Sequence, residues 1–237
     1  MKTTRAAMLL SLAATSLAHA QSAGQWVVNT GWVHLAPQDS SQPLTVNALG
    51  QSAVVPGSGS TLANANTFAL TTRYFVTDHV ALETVFGIPP KLHLRGTGSL
   101  AAVGEMGTAR AWSPAVQLQY HFGDPDARLR PYLGAGLAYV WYRDIELSRP
   151  LATGQILASP TTGSMLVGPT TASLSKSFAP LVNAGLTYNL DAHWSIGASL
   201  SYMWLSTKTT LTTQAPVGTV TTTTKVRINP LASFLSV

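Results

Sequence analysis

The chain has 237 residues, of which only 10% are Asp, Glu, Lys or Arg, against about 25% in ordinary soluble proteins. Mean hydropathy is +0.19, yet nothing after residue 20 supplies the roughly 18 consecutive apolar residues of a membrane helix. The formal net charge of +5 contains no run of Lys or Arg, which argues against nucleic acid as a partner, and the lack of cysteine excludes disulfides and thiolate metal sites.

The chain opens with a charged MKTTR, an apolar AAMLLSLAATSLA and the small-x-small triplet Ala18-His19-Ala20. This reads as a secretory signal peptide over 1–20, leaving 21–237 as one domain. Without Lys2 and Arg5, 12 basic and 9 acidic residues remain, a small excess.

From there the dominant pattern has a period of two, the signature of a strand with two unlike faces. A weak first candidate is QWVVNTGWVH (25–34). Phe68, Leu70, Thr72 and Tyr74 alternate with Thr67, Ala69, Thr71 and Arg73, and Val80, Leu82, Thr84, Phe86 and Ile88 with Ala81, Glu83, Val85 and Gly87. Val116, Leu118, Tyr120 and Phe122 alternate with Ala115, Gln117, Gln119 and His121. Leu133 to Trp141 alternates with Gly134, Gly136, Ala138 and Val140. Val182 to Leu190 alternates with Asn183, Gly185, Thr187 and Asn189, and Trp194 to Trp204 with Ser195, Gly197, Ser199, Ser201, Met203 and Leu205. KVRINPLASFLSV (225–237) completes eight candidate strands of about ten residues each.

Short links (Val76-Thr77-Asp78-His79, GDPDARL and Asp191-Ala192-His193) alternate with long ones near 35–66, 89–112, 143–177 and 206–224. That is the rhythm of an outer-membrane barrel, with short periplasmic turns and long extracellular loops. The long links read as irregular. Their Thr221–Thr224 run is open to two readings, an adhesive or glycosylated surface, or strands continuing above the membrane.

Trp194 and Trp204 lie on one face, ten residues apart. At about 3.3 Å per residue and a tilt of about 40°, that separation projects to roughly 25 Å, the height of the apolar band on such barrels. Indole rings favour the membrane boundary, so the apolar face is expected to meet outer-membrane lipid. Tyr120 and Phe122 fit the girdle at the short-turn end, Tyr139 and Trp141 the girdle at the long-loop end. The opposite face then lines the lumen. It places Arg73 and Glu83 across a short turn as an inward ion pair. Val85, Met203 and Leu205 add apolar groups to it nearer the long loops, either as filling or as part of an apolar path. Eight strands leave little room for a wide aqueous pore. The expected fold is therefore all-β, an eight-stranded antiparallel transmembrane β-barrel.

Four segments carry a resemblance: NTFALTTRYFVTDHVALETVFGIPP (66–90), WSPAVQLQYHFGDPDARLRPYLGAGLAY (112–139), APLVNAGLTYNLDAHWSIGASLSYM (179–203) and VRINP (226–230). Together they resemble the outer membrane protein W (OmpW) family of eight-stranded barrels. The resemblance implies a narrow hydrophobic channel for passive uptake of small hydrophobic solutes, with sideways release into the membrane. It also implies handling by the outer-membrane assembly machinery. Two departures from the family pattern stand out. The chain ends at FLSV, with Val237 where an aromatic is usual, so it reads as a few residues short. Ser201 stands where the pattern can carry a bulky lumenal aromatic, which implies a wider constriction facing Val85.

Two other classes compete. A lipid-modifying barrel enzyme needs a nucleophile and base within reach. His34, His79, His93, His121 and His193, with Ser199, Ser201 or Glu83, are the raw material, but no GxSxG or HExxH occurs. A structural, adhesive or receptor barrel would act through its long loops. The histidines have no short ligand spacing, so no metal or cofactor is expected, and no enzymatic activity.

Overall fold

The computed structural model describes residues 21–158 and 163–237; the leader expected over 1–20 lies outside them. Eight strands form the barrel wall: β1 (Trp26–Ala36), β2 (Ala65–Phe75), β3 (Val80–Gly87), β4 (Ala115–His121), β5 (Leu129–Leu147), β6 (Ser177–Asn189), β7 (Ser195–Met203) and β8 (Leu231–Ser236). Each pairs antiparallel with its neighbour in sequence, and β8 pairs with β1, so the sheet closes. Closure matters in lipid, where an unpaired backbone donor or acceptor has no water to turn to.

Register follows the alternation. Along β4 every second residue is buried and its neighbours are exposed. Gln119 is 1% exposed while Leu118 is 57%, the reverse of a soluble sheet. Val28, Phe68, Leu82, Leu133, Val182 and Leu200 also face outward. Aromatic contacts gather at the two ends of this apolar belt. Trp26 packs on Tyr74, His79 on Tyr120, and Tyr120 on Phe122 at the short-turn end. Trp112, Trp141, Tyr139 and Phe178 form a chain at the other end. Trp194 and Trp204 are both exposed, just outside the two ends of β7.

Three expectations are corrected. The long links are not irregular. They fold largely into strands above the barrel, and Leu44, Met106 and Leu211 from three of the links meet there in one apolar cluster. Hairpin strands Lys91–Gly98 and Glu105–Trp112 pair with Ser58–Leu62 on one side and with the upper part of β5 on the other. A second sheet is built from Thr170–Leu174, Ser206–Ala215, Gly218–Arg227, Thr45–Ala48 and Gln51–Val54. Second, β5 runs for 19 residues instead of about ten, with a register shift between Arg143 and Glu146 where Asp144 has a φ of 50°. Third, residues 225–227 belong to the upper sheet. β8 begins only at Leu231, after Asn229 (φ 38°) and Pro230 turn the chain back. The threonines at 221–224 take the second of their two readings, as strand residues above the membrane.

Candidate functional site

Three layers fill the molecule along the barrel axis. The lowest is polar. Arg73 and Glu83 are register partners on β2 and β3, and the guanidinium donates to Glu83 Oε2 at 2.6 Å through Nη2 and at 2.8 Å through Nε. The expected ion pair is therefore formed and buried. Gln117 and Gln119 on β4 donate their amides to the same carboxylate. Each carboxylate oxygen thus has a donor, as a charge taken out of water requires.

Sequence reading alone missed half of this layer. Tyr132 stacks on His121 at 4.8 Å and lies 4.9 Å below the Arg73 guanidinium. Arg130 is fully buried; it donates to the Gln21 carbonyl at 2.7 Å and the Asp78 carbonyl at 2.6 Å, over the Phe75 ring. Gln21 in turn donates to Asn189 Oδ1. The parity of Gly134, Gly136 and Ala138, extended backwards, predicts inward Tyr132 and Arg130. The alternation is followed only from Leu133, two residues past Pro131. Pro131 is an exposed residue near the start of β5, where a missing N–H is tolerated.

Above lies an apolar floor: Ala115, Ala138, Val140, Ala179, Leu181, Leu205, Val226 and Ile228, with Val85, Met203, Leu62 and Tyr142 packed against them. Val85 of β3 and Met203 and Leu205 at the end of β7 meet here. Ser201 does not join them. Its hydroxyl accepts from Asn183 Nδ2 at 2.8 Å, which ties it to the polar side of the boundary.

The top layer holds a partly open cavity of about 90 Å³ between the two upper sheets. Its walls include Leu44, Leu94, Leu100, Met106, Leu151, Leu211 and Leu174, and its lower edge reaches the floor at Tyr142, Val226 and Ile228. Polar wall groups are mostly engaged: Tyr142 bonds Thr207 at 2.7 Å, and Thr108 donates to Glu146. At the rim Lys91 reaches Glu146 at 3.0 Å. That contact, helped by Thr108, holds the Glu146 carboxyl below the usual carboxylate range.

The candidate catalytic side chains are not assembled. His34 contacts Asn66, His79 the backbone of His121, His93 Glu105 and His121 Gln119. No group of three or more metal-ligating side chains occurs among the described residues.

One place in the wall departs from regular pairing. The β3–β4 ladder runs from Val80–Tyr120 up to Val85–Ala115. The next backbone bond is from Ala111 N–H to the Pro90 carbonyl. Between them, 86–89 and 112–114 share no backbone hydrogen bond among the described residues. Pro89, Pro90 and Pro114 have no N–H to offer there. The gap lies beside Val85 and Ala115 of the floor and under the Trp112–Trp141 stack.

A closed eight-stranded barrel with an apolar outer face, aromatic ends and a polar, filled interior is an integral outer-membrane β-barrel. The family model described as OmpW family matches residues 22–237, and the chain belongs to that family. Its location is thus the bacterial outer membrane. Outer membrane protein W of Vibrio cholerae serotype O1 is 31% identical over 227 residues, covering 94% of this chain and 92% of the relative. Outer membrane protein AlkL of Ectopseudomonas oleovorans is 24% identical, covering 87% and 78%. Among solved structures, OprG from Pseudomonas aeruginosa superposes with a TM-score of 0.77 at 21% identity, covering 92% of this chain and 96% of its own. AlkL in DMPC bilayers gives 0.59 at 21% identity, covering 94% and 91%. These last two likenesses speak to the fold.

Proposed function

We propose that this barrel is a narrow channel for passive uptake of small apolar molecules, which enter at the extracellular cavity and leave sideways into the membrane. One observation carries the reading: an apolar cavity stands on an apolar floor, above a lower lumen closed by buried charges and amides. An apolar solute gains by exchanging water for the leucine-rich cavity. It gains nothing by continuing down, because passing Arg73, Glu83, Gln117 and Gln119 requires breaking hydrogen bonds that it cannot replace.

Lipid is the favourable destination, and the stretch between β3 and β4 without shared backbone hydrogen bonds offers a way out at floor level. Val85, Met203 and Leu205 are the residues a solute meets there, and Ser201 with Asn183 marks where the path turns polar. Proteoliposomes containing the barrel should take up naphthalene faster than empty liposomes and glucose no faster. Equal naphthalene rates with and without protein would sink the reading.

A further inference from the structure

We propose that the cavity selects apolar solutes bearing one neutral hydrogen-bonding oxygen (an alcohol, ketone or ester), and that Thr222 is the residue that recognises it. The inference rests on the uptake reading above and refines its solute class. Thr222 lies in the strand Gly218–Arg227 and lines the cavity. It shares the buried face of that strand with Val220 and Val226 and is the register partner of Leu211, a member of the upper apolar cluster. It is only 2% exposed, and its Oγ1 has no hydrogen-bond partner among the described residues.

Neighbouring hydroxyls are different. Thr207 pairs with Tyr142, Thr108 with Glu146, and Thr224 donates to the Gln42 carbonyl. A valine would fit the same strand position without burying an unmatched hydroxyl, and leaving such a group unpaired is costly. An occupant offering one lone pair or one proton would satisfy Thr222 while the leucines cover its hydrocarbon.

The charge of the solute is also restricted. No Lys, Arg or His lines the cavity among the described residues. Its one carboxylate, Glu146, already takes the nearby Lys91 ammonium, so no free cation is left there among the described residues for an anionic solute. A carboxylate solute would be buried without a counter-charge, and an alkane would leave Thr222 unpaired. Neutral oxygenated molecules satisfy both conditions.

Toluene, benzyl alcohol and benzoate separate these cases, being compact and alike in shape. The full barrel in lipid nanodiscs is titrated with each, and the Thr222 and Leu211 amide shifts are followed, with aqueous concentrations corrected for partition into lipid. Benzyl alcohol should bind more tightly than toluene, and benzoate should not bind. Thr222→Val should weaken benzyl alcohol about fivefold, the worth of one hydrogen bond, and leave toluene within about twofold. Thr222→Ser should keep the preference. Without solute, Thr222→Val should be at least as heat-stable as wild type; a clear loss would mean that the hydroxyl has a structural partner and would overturn the proposal. An unchanged benzyl alcohol to toluene ratio in Thr222→Val would overturn it while leaving the uptake reading intact. Silence of both amides toward all three compounds would overturn the two together.

Discussion

Tyr132 stands over Gly185. The two are register partners across β5 and β6, and a Cβ at 185 would come within 2.3 Å of the Tyr132 ring. The absent side chain of one strand makes room for the ring of the next, which is then held between His121 and Arg73. Gly185→Ala should push the ring out of that slot and cost about 1–3 kcal/mol, the usual penalty for overfilling a packed site. Because the damage runs through one ring, Gly185→Ala and Tyr132→Ala should be far from additive in urea unfolding followed by tryptophan fluorescence. Additive losses would show that the two do not act together.

Arg73 and Glu83 should behave as a buried pair. Glu83→Leu leaves the guanidinium without its counter-charge and should cost about 3–5 kcal/mol, whereas adding Arg73→Leu should restore a large part of it. The same unfolding assay reads both. A double variant no better than Glu83→Leu would count against the pairing as the main role of these charges.

The rim contact of Glu146 with Lys91 and Thr108 makes the upper hairpin sensitive to acid. Its carboxyl is held below the ordinary range, first by the Lys91 hydrogen bond and charge and then by Thr108. A depressed folded value adds order that is fully present above the ordinary carboxylate pKa and is lost as pH falls below it, through the lowered folded value. Amide protection in Glu105–Trp112 should therefore drop in that window in wild type. Glu146→Gln should show no such step. A step of equal size in the variant would assign it to another group.

The gap between β3 and β4 makes a prediction about release. The chain has no cysteine of its own, so Gly87→Cys with Ser113→Cys introduces the only thiols. Joining them with a short bifunctional thiol reagent should slow delivery of an apolar probe to the bilayer at least tenfold, while either single variant treated alike stays near wild type. Unaltered delivery with the bridge in place would move the exit elsewhere.

Much of the barrel was legible because lipid and lumen demand opposite residues on alternate positions. Phe68, Leu70 and Tyr74 against Ala69, Thr71 and Arg73 reveal both the strand and its faces. Register across a short turn then follows, which is why Arg73 and Glu83 could be paired from spacing. The upper sheets were not legible because threonine occupies both of their faces. Thr207, Thr213 and Thr222 are buried, while Thr210, Thr212 and Thr223 are not, so the period is present in burial but absent from hydropathy. The cavity was hidden for the same reason: Leu44, Met106 and Leu211 come from three separate links and converge only in space. Ser201 illustrates a different limit. Its inward parity was readable, but its Asn183 partner, 18 residues away, depends on the β6–β7 register.

Apolar solutes, as proposed, cross by way of the upper cavity. Ala172 lines that cavity from the strand Thr170–Leu174, opposite Leu211, and Ala172→Trp would fill it without touching the barrel wall or the polar layer below. Naphthalene uptake by proteoliposomes containing this variant should fall to the rate of empty liposomes, with the barrel still folded by circular dichroism. Uptake at the wild-type rate by a folded Ala172→Trp barrel would contradict the account.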